Sequence, residues 1–288
     1  MKILYVSKGD HVDYQDDCLF IWLKELFGDD VVDVNKRSHI YTSYDEEAAK
    51  KLYGMGMTVT RVLPDTEVDR TDIQSKIKNK YFDYVVYGSI WRCHSDINKV
   101  LEYYPKNRVI VVDGEDETNI NQVFELGIPY FKRELIHNDP MLLPIAFAAP
   151  TTKGFGVFNE KKIKDFSFIT PLDKHTYIYN TERDYYNDYA ESRFGITLKK
   201  AGWDCLRHYE IMSNGCIPYF IDIESCPKLT MFNFPKDLCK SVIADLKSFK
   251  PVDVYSKYAD KFQLHFINNN TTKALATYVI DTLSKIKN

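Results

Sequence analysis

Four cations and one carboxylate between Ser192 and Pro218 have the types and spacing to hold a phosphorylated ligand. Arg193, Lys199, Lys200 and Arg207 lie in and just after a Gly-bearing loop that feeds a helix expected over 203–214. The start of a helix presents free N–H groups and the positive end of its dipole, so an anion is favoured there. Arg207 and Glu210 are three residues apart and share a helix face, which sets a guanidinium beside a carboxylate toward one cleft. A nucleoside diphosphate offers a partner to each, phosphates for the cation and ribose hydroxyls for the carboxylate. Asp204 is placed to cap this helix, Gly215 to end it in a left-handed conformation, and Pro218 is tolerable near the start of the next strand. The plainer alternative is an exposed Arg207–Glu210 ion pair worth a few tenths of a kcal/mol, with Lys199 and Lys200 on a solvated face and Trp203 as packing.

The run Glu210-Ile211-Met212-Ser213-Asn214-Gly215-Cys216-Ile217-Pro218 resembles the signature of GT-B glycosyltransferases, a Glu on a short helix followed by small residues, a Gly and a Pro before a strand. The fuller run from Trp203 is similar to the C-terminal motif of exostosin-like transferases. The resemblance implies that Glu210 binds the donor ribose. It also implies that Arg207, with Arg193, Lys199 or Lys200, stabilises a departing diphosphate. It makes a UDP- or GDP-sugar the co-substrate, with no metal and no further cofactor. In one respect the chain departs from the pattern: many GT-B enzymes carry a second Glu eight residues earlier, where this chain has Gly202.

An inverting transfer of this kind needs a general base near the acceptor hydroxyl, on the N-terminal side of the cleft. Asp10 and His11 follow the first strand; Asp113 and Asp116 follow a strongly apolar later strand. These four are the catalytic candidates. The acidic run 113–117 also admits a hard-cation reading or a simple turn and helix cap, and its place before the linker disfavours the metal. Lys132-Arg133-Glu134 either orients two domains, touches acceptor, or ends a strand in solvent, the last being the expectation.

The elements needed to position these groups are legible as alternating strands and helices. Apolar runs at 2–7, 31–34, 82–87, 108–112 and 128–131 alternate with helical patterns at 14–27, 46–53, 71–79 and 97–104. Runs without polar alternation suit a parallel sheet covered on both faces, whose ligands bind beyond the carboxyl ends of the strands. Three prolines at 140, 144 and 150 place a linker near residue 150. A second cycle follows, with strands at 165–170 and 217–222, a helical or loop stretch over 185–200, helices at 238–246 and 255–262, and an amphipathic helix over 272–287. The fold class is α/β, GT-B-like, with two Rossmann-like doubly wound domains facing across a cleft. Residues 1–150 are expected to bind acceptor and 151–288 the nucleotide-sugar.

At 288 residues, with 44% hydrophobic and 27% charged residues, the chain has material for real cores, which excludes a disordered protein. Aromatics reach 14%, including 21 Tyr, a residue that lines sugar and nucleotide sites as well as cores. Six cysteines without a Cys-x-x-Cys pair suggest reduced thiols and a cytoplasmic setting, and no apolar run is long enough for a membrane span. A net charge of −3 makes nucleic acid a less favoured partner than a glycan acceptor. Two competing readings stand beside the first. One is a viral-type glucosyltransferase acting on hydroxymethylated bases of DNA, with Lys76, Lys78 and Lys80 or Lys161, Lys162 and Lys164 as a local groove. The other is a non-catalytic nucleotide or sugar-phosphate binding module.

Overall fold

The computed structural model describes residues 1–154, 158 and 161–286. The first unit carries β1 (Ile3–Val6), β2 (Val31–Asp33), β3 (Tyr84–Tyr87), β4 (Val109–Asp113), β5 (Tyr130–Lys132) and β6 (Leu142–Pro144). All pair in parallel in the order β2-β1-β3-β4-β5-β6, with Leu4 opposite Val32 on one side and Val85 on the other. Successive strand residues point to opposite faces, and each face has its own core. Ile3, Tyr5, Val86, Ile110 and Val112 belong to one apolar cluster; Leu4, Val6, Val85, Val109 and Val111 belong to the other. That double covering is why the strands read as unbroken apolar runs. The winding reverses between β1 and β3, so a crevice opens beyond their carboxyl ends.

Helix α1 (Tyr14–Phe27) starts at Asp13, whose side chain accepts from the Asp16 N–H, and stops at Gly28. The helix expected over 46–53 is only the short α2 (Glu46–Ala49). Beyond it Gly54 and Met55 are both left-handed, which breaks the helical repeat. Helices α3 (Ile73–Lys78) and α4 (Ile97–Tyr103) complete this unit. The proline-rich stretch expected to be linker contains β6, whose Pro144 is tolerated because β6 is the sheet edge.

The second unit has β7 (Lys164–Phe166), β8 (Ser192–Thr197) and β9 (Ile217–Phe220), parallel in the order β7-β8-β9. Its helices are α5 (Glu182–Ala190), α6 (Leu206–Ser213), α7 (Lys236–Asp245), α8 (Pro251–Asn269) and α9 (Thr272–Lys285). Residues 192–197, expected to be loop, form the central strand, and Arg193 therefore stands at its amino end. Lys287, expected to close the last helix, lies outside the described residues. The two parallel sheets thus form two α/β units, and residues of both line one cavity. No helix among the described residues is long and apolar enough to cross a membrane.

The units are joined twice. The chain passes from the first to the second beyond β6, and α9 returns to pack against α1, with Val279 and Leu283 beside Ile3, Leu19 and Leu23. The two crossings are bonded to each other: Ala149 donates to the Asn270 carbonyl at 3.0 Å and accepts from the Thr272 N–H at 3.0 Å. Lys132-Arg133-Glu134 is wholly buried, not solvated. Arg133 donates to the Asp204 carbonyl at 2.5 Å, and Glu134 accepts from the Asp204 N–H at 2.9 Å. A Cβ at Gly202 would lie 2.6 Å from Glu134 Oε1 and 2.9 Å from an Asp116 oxygen, so the missing acid at this position follows from how closely the units meet.

Candidate functional site

Helix α6 follows the carboxyl end of β8 and carries both Arg207 and Glu210. Its start differs from expectation. Cys205 is the N-cap and makes no side-chain capping bond, while Asp204 turns inward to accept from the Phe147 N–H at 2.7 Å and from the Tyr209 hydroxyl at 2.8 Å. Gly215 takes the left-handed conformation at the other end, with φ of 66°. His208, buried between Arg207 and Tyr209, contacts the Trp203 carbonyl through Nε2 at 2.9 Å and Thr197 Oγ1 through Nδ1 at 2.8 Å. A carbonyl only accepts, so the ring carries its proton on Nε2. Burial pushes its pKa down to about 3.

Arg207 and Glu210 are 8% and 7% exposed, so neither belongs to a surface ion pair. Arg207 donates from Nη2 to the Tyr177 hydroxyl at 2.9 Å and lies 5.5 Å from that ring's centre. Its Nε and Nη1 are buried with no hydrogen-bond partner among the described residues. Lys200 stands over the other side of the cluster, 5.9 Å from the Tyr177 ring. Lys199 lies 5.7 Å from the Trp203 ring, and its backbone N–H bonds Asp222. Arg193 is held apart, with Nη1 at 2.9 Å from Asp165 and Nη2 on the Lys162 carbonyl. The structure therefore brings Arg207 and Lys200 together around Tyr177, keeps Lys199 beside Trp203, and leaves Arg193 at the opposite end of β8.

Glu210 turns away from Arg207. One oxygen accepts from Thr58 Oγ1 and the other from the Tyr185 hydroxyl at 2.5 Å. Burial raises its pKa, while these two hydroxyls and the Arg207 charge pull it down. Thr58 arrives from the first unit, 152 residues away in sequence. Its N–H donates to Glu182 Oε1 at 2.5 Å and its hydroxyl lies 2.5 Å from the Tyr186 hydroxyl. It is β-branched yet sits at φ of 73°, a conformation costing about 1–3 kcal/mol. Beside it lies a cavity of about 300 Å³, lined by Thr42, Glu46 and Arg61 from one unit and by Lys153, Asn180 and Glu182 from the other.

On the facing side, Arg92 ties together the loops after β1, β3 and β4. It donates from Nε to His11 Nε2 at 3.1 Å, lies 2.9 Å from Asp13, and bonds Glu115. A guanidinium only donates, so His11 carries its proton on Nδ1. Burial, with the Arg92 and Lys8 charges, lowers its pKa. Asp10 accepts from the Ser38 N–H at 2.6 Å. Asp113 is fully buried, bonded to Lys132 at 2.9 Å, Trp91 at 2.9 Å and Tyr130 at 2.5 Å. Asp116 pairs with Arg133. Each acid of the 113–116 run thus has its own cation or structural partner, which leaves no shared acidic cage among the described residues. Burial, with the Glu210 charge, raises the pKa of Tyr14, the first residue of α1, whose ring packs against Tyr53 and Phe147.

The lysine runs offered as a nucleic-acid groove are partly engaged: Lys76 with Asp69, Lys164 with Asp188, and Lys162 buried on the Ala190 carbonyl. Sequence reasoning missed Arg92, Thr58, Tyr177 and Tyr185. Arg92 follows a predicted strand and was within reach of the strand-end rule; Thr58 carries no local signal at all. No family model matches the sequence, and no curated protein matches it. Among solved structures the chain is similar to an alpha-glucosyltransferase in complex with UDP and a 13-mer DNA containing a central A:G mismatch, at 12% identity over 98% of each chain and a TM-score of 0.46.

Proposed function

We propose that this chain is a metal-independent glycosyltransferase that moves a sugar from a nucleotide-sugar, such as a UDP- or GDP-sugar, to a hydroxyl of a glycan acceptor. The observation that carries the reading is Arg207, a buried guanidinium whose Nε and Nη1 have no partner among the described residues. An uncompensated buried cation is costly, and a diphosphate would complete it. Lys200 lies over the same Tyr177 ring as Arg207, with Lys199 beside it in sequence, and Glu210, one helical turn on, would take ribose hydroxyls. His11 would act as the base, since Asp113 has its oxygens committed to four donors, Trp91, Tyr130, Lys132 and the Glu115 N–H. In an inverting step the acceptor oxygen, losing its proton to His11, bonds the anomeric carbon as the carbon–oxygen bond to the diphosphate breaks. The electron pair leaves with the diphosphate, whose charge Arg207 stabilises without reorganisation. His11 must first exchange its Arg92 contact for the acceptor hydroxyl.

The test is calorimetric titration of the full chain with UDP and GDP, followed by turnover of the matching sugar conjugates. One nucleotide should bind, and His11→Ala should lower turnover by about 10²- to 10⁴-fold with nucleotide affinity unchanged. Absence of binding by either nucleotide sinks the reading; binding without turnover of any donor turns it into a non-catalytic module. Retention of duplex DNA in a gel shift that weakens with salt would move the acceptor from glycan to DNA.

A further inference from the structure

We propose that Thr58 sets the affinity of the donor site by occupying Glu210 in place of a ribose hydroxyl, so that a nucleotide binds by displacing Thr58, within the segment Met55–Arg61. The inference rests on the donor reading of Glu210. The segment is a strap of the first unit laid into the second. It follows α2 through Gly54 and Gly56, both left-handed, and places Met55, Thr58 and Arg61 at positive φ as well. A chain holds three non-glycine residues in this conformation over seven positions only when other contacts over-determine it. At Thr58 those contacts are its N–H on Glu182 and its hydroxyl on Glu210 and Tyr186, while Arg61 is held within the first unit by the His39 and Thr42 carbonyls and Val59 is buried in the core.

The chemistry of the latch matches the chemistry of the ligand. A secondary hydroxyl donating to a buried carboxylate is what a ribose would present, and Glu210 has its other oxygen filled by Tyr185. Each carboxylate oxygen can accept twice, but Glu210 is buried and the two protein hydroxyls take the room beside it, so a ribose hydroxyl reaches it when one of them leaves. Thr58 is the one that can go, because the turn before it, Met55, Gly56 and Met57, is exposed or half-buried beside the cavity, while Val59 after it stays anchored in the core. Met55, Gly56, Met57, Thr60 and Arg61 line the cavity of about 300 Å³. Tyr185, by contrast, is fixed in helix α5. Release of Thr58 would join that cavity to Glu210, and the strain at φ of 73° favours release.

The experiment compares the full chain with Thr58→Val and Thr58→Ser by titration with UDP and GDP. The Val variant keeps the shape and loses the hydroxyl, and should bind the nucleotide about tenfold more tightly, as expected for removal of one competing hydrogen bond to a charged group. The Ser variant keeps the hydroxyl and should stay within about twofold of the parent. A second readout needs no affinity change: nucleotide should speed tryptic cleavage after Lys50, Lys51 or Arg61 in the parent, and the Val variant should be cleaved at the faster rate without it. Unchanged or weaker binding by the Val variant, or protection of these sites by nucleotide, overturns the latch while leaving the donor reading intact. Failure of the parent and both variants to bind either nucleotide overturns both.

Discussion

Asp113 and Arg207 are both buried charges just beyond parallel strands, and the two units treat them in opposite ways. Asp113 has a lysine, an indole N–H and a phenol on its two oxygens. Arg207 has one phenol, with two of its nitrogens left over among the described residues. Burial does not distinguish them, and neither does position relative to the sheet. Completeness of partners does: a charge whose capacity is filled by its own chain is a joint, while one left half filled is an opening for something the chain does not supply. The first unit spends its charges on holding strand ends and the facing unit in place, and the second keeps one in reserve.

Removing one partner from each site is the strongest way to break this contrast. Asp113→Ala leaves the Lys132 ammonium buried and alone and should cost about 3–5 kcal/mol in urea unfolding. A loss below about 1 kcal/mol, the level of an exposed ion pair, would show that Asp113 is no joint. Arg207→Met removes a guanidinium that the chain satisfies, among the described residues, with a single hydrogen bond, to Tyr177. Its unfolding midpoint should hold or rise, while affinity for UDP or GDP drops by about 10- to 100-fold, the effect of losing charge-assisted bonds to phosphate. A variant that unfolds like Asp113→Ala would return Arg207 to a structural role.

The smallest effect is one of pH. His208, held near 3 by burial, is neutral in the fold, whereas in the unfolded chain it titrates near its ordinary 6.5. Between those values the unfolded state binds the extra proton. The contribution of His208 is therefore complete above about 6.5 and is lost as pH falls, by up to about 1.4 kcal/mol per unit. Asp204, pushed up to about 6 by burial, works with the opposite sign below that value, so the informative quantity is the difference from a His208→Gln variant. Urea midpoints at pH 7 and pH 5 should diverge more in the parent than in the variant. Equal divergence would mean that α6 is not anchored through a neutral imidazole.

The alternation of strands and helices was readable because burial on both sheet faces forces unbroken apolar runs, as in Val109–Asp113. Helix α1 was readable end to end, since Asp13 and Gly28 punctuate it chemically. Strand β8 was not, because Arg193 and Gly195 interrupt its apolar pattern, and with it went the placement of Arg193. Of the site, the Arg207–Glu210 pair was visible as a spacing on one helix. What each turns toward was not, because Thr58, Tyr177 and Tyr185 are remote in sequence and no periodicity connects them. Burial of Lys132-Arg133-Glu134 was invisible for a related reason: three charged residues in a row are solvated unless a second unit covers them.

The two crossings between the units meet at one point, where Ala149 bonds both Asn270 and Thr272. Two separate tethers would let the units shear or drift; two tethers fastened together act as a single pivot. The bonds of Thr58 with Glu210 and of Arg133 and Glu134 with Asp204 join the same two units again at α6 and the residue before its cap, so the mutual orientation of the units is held at two separate places at once.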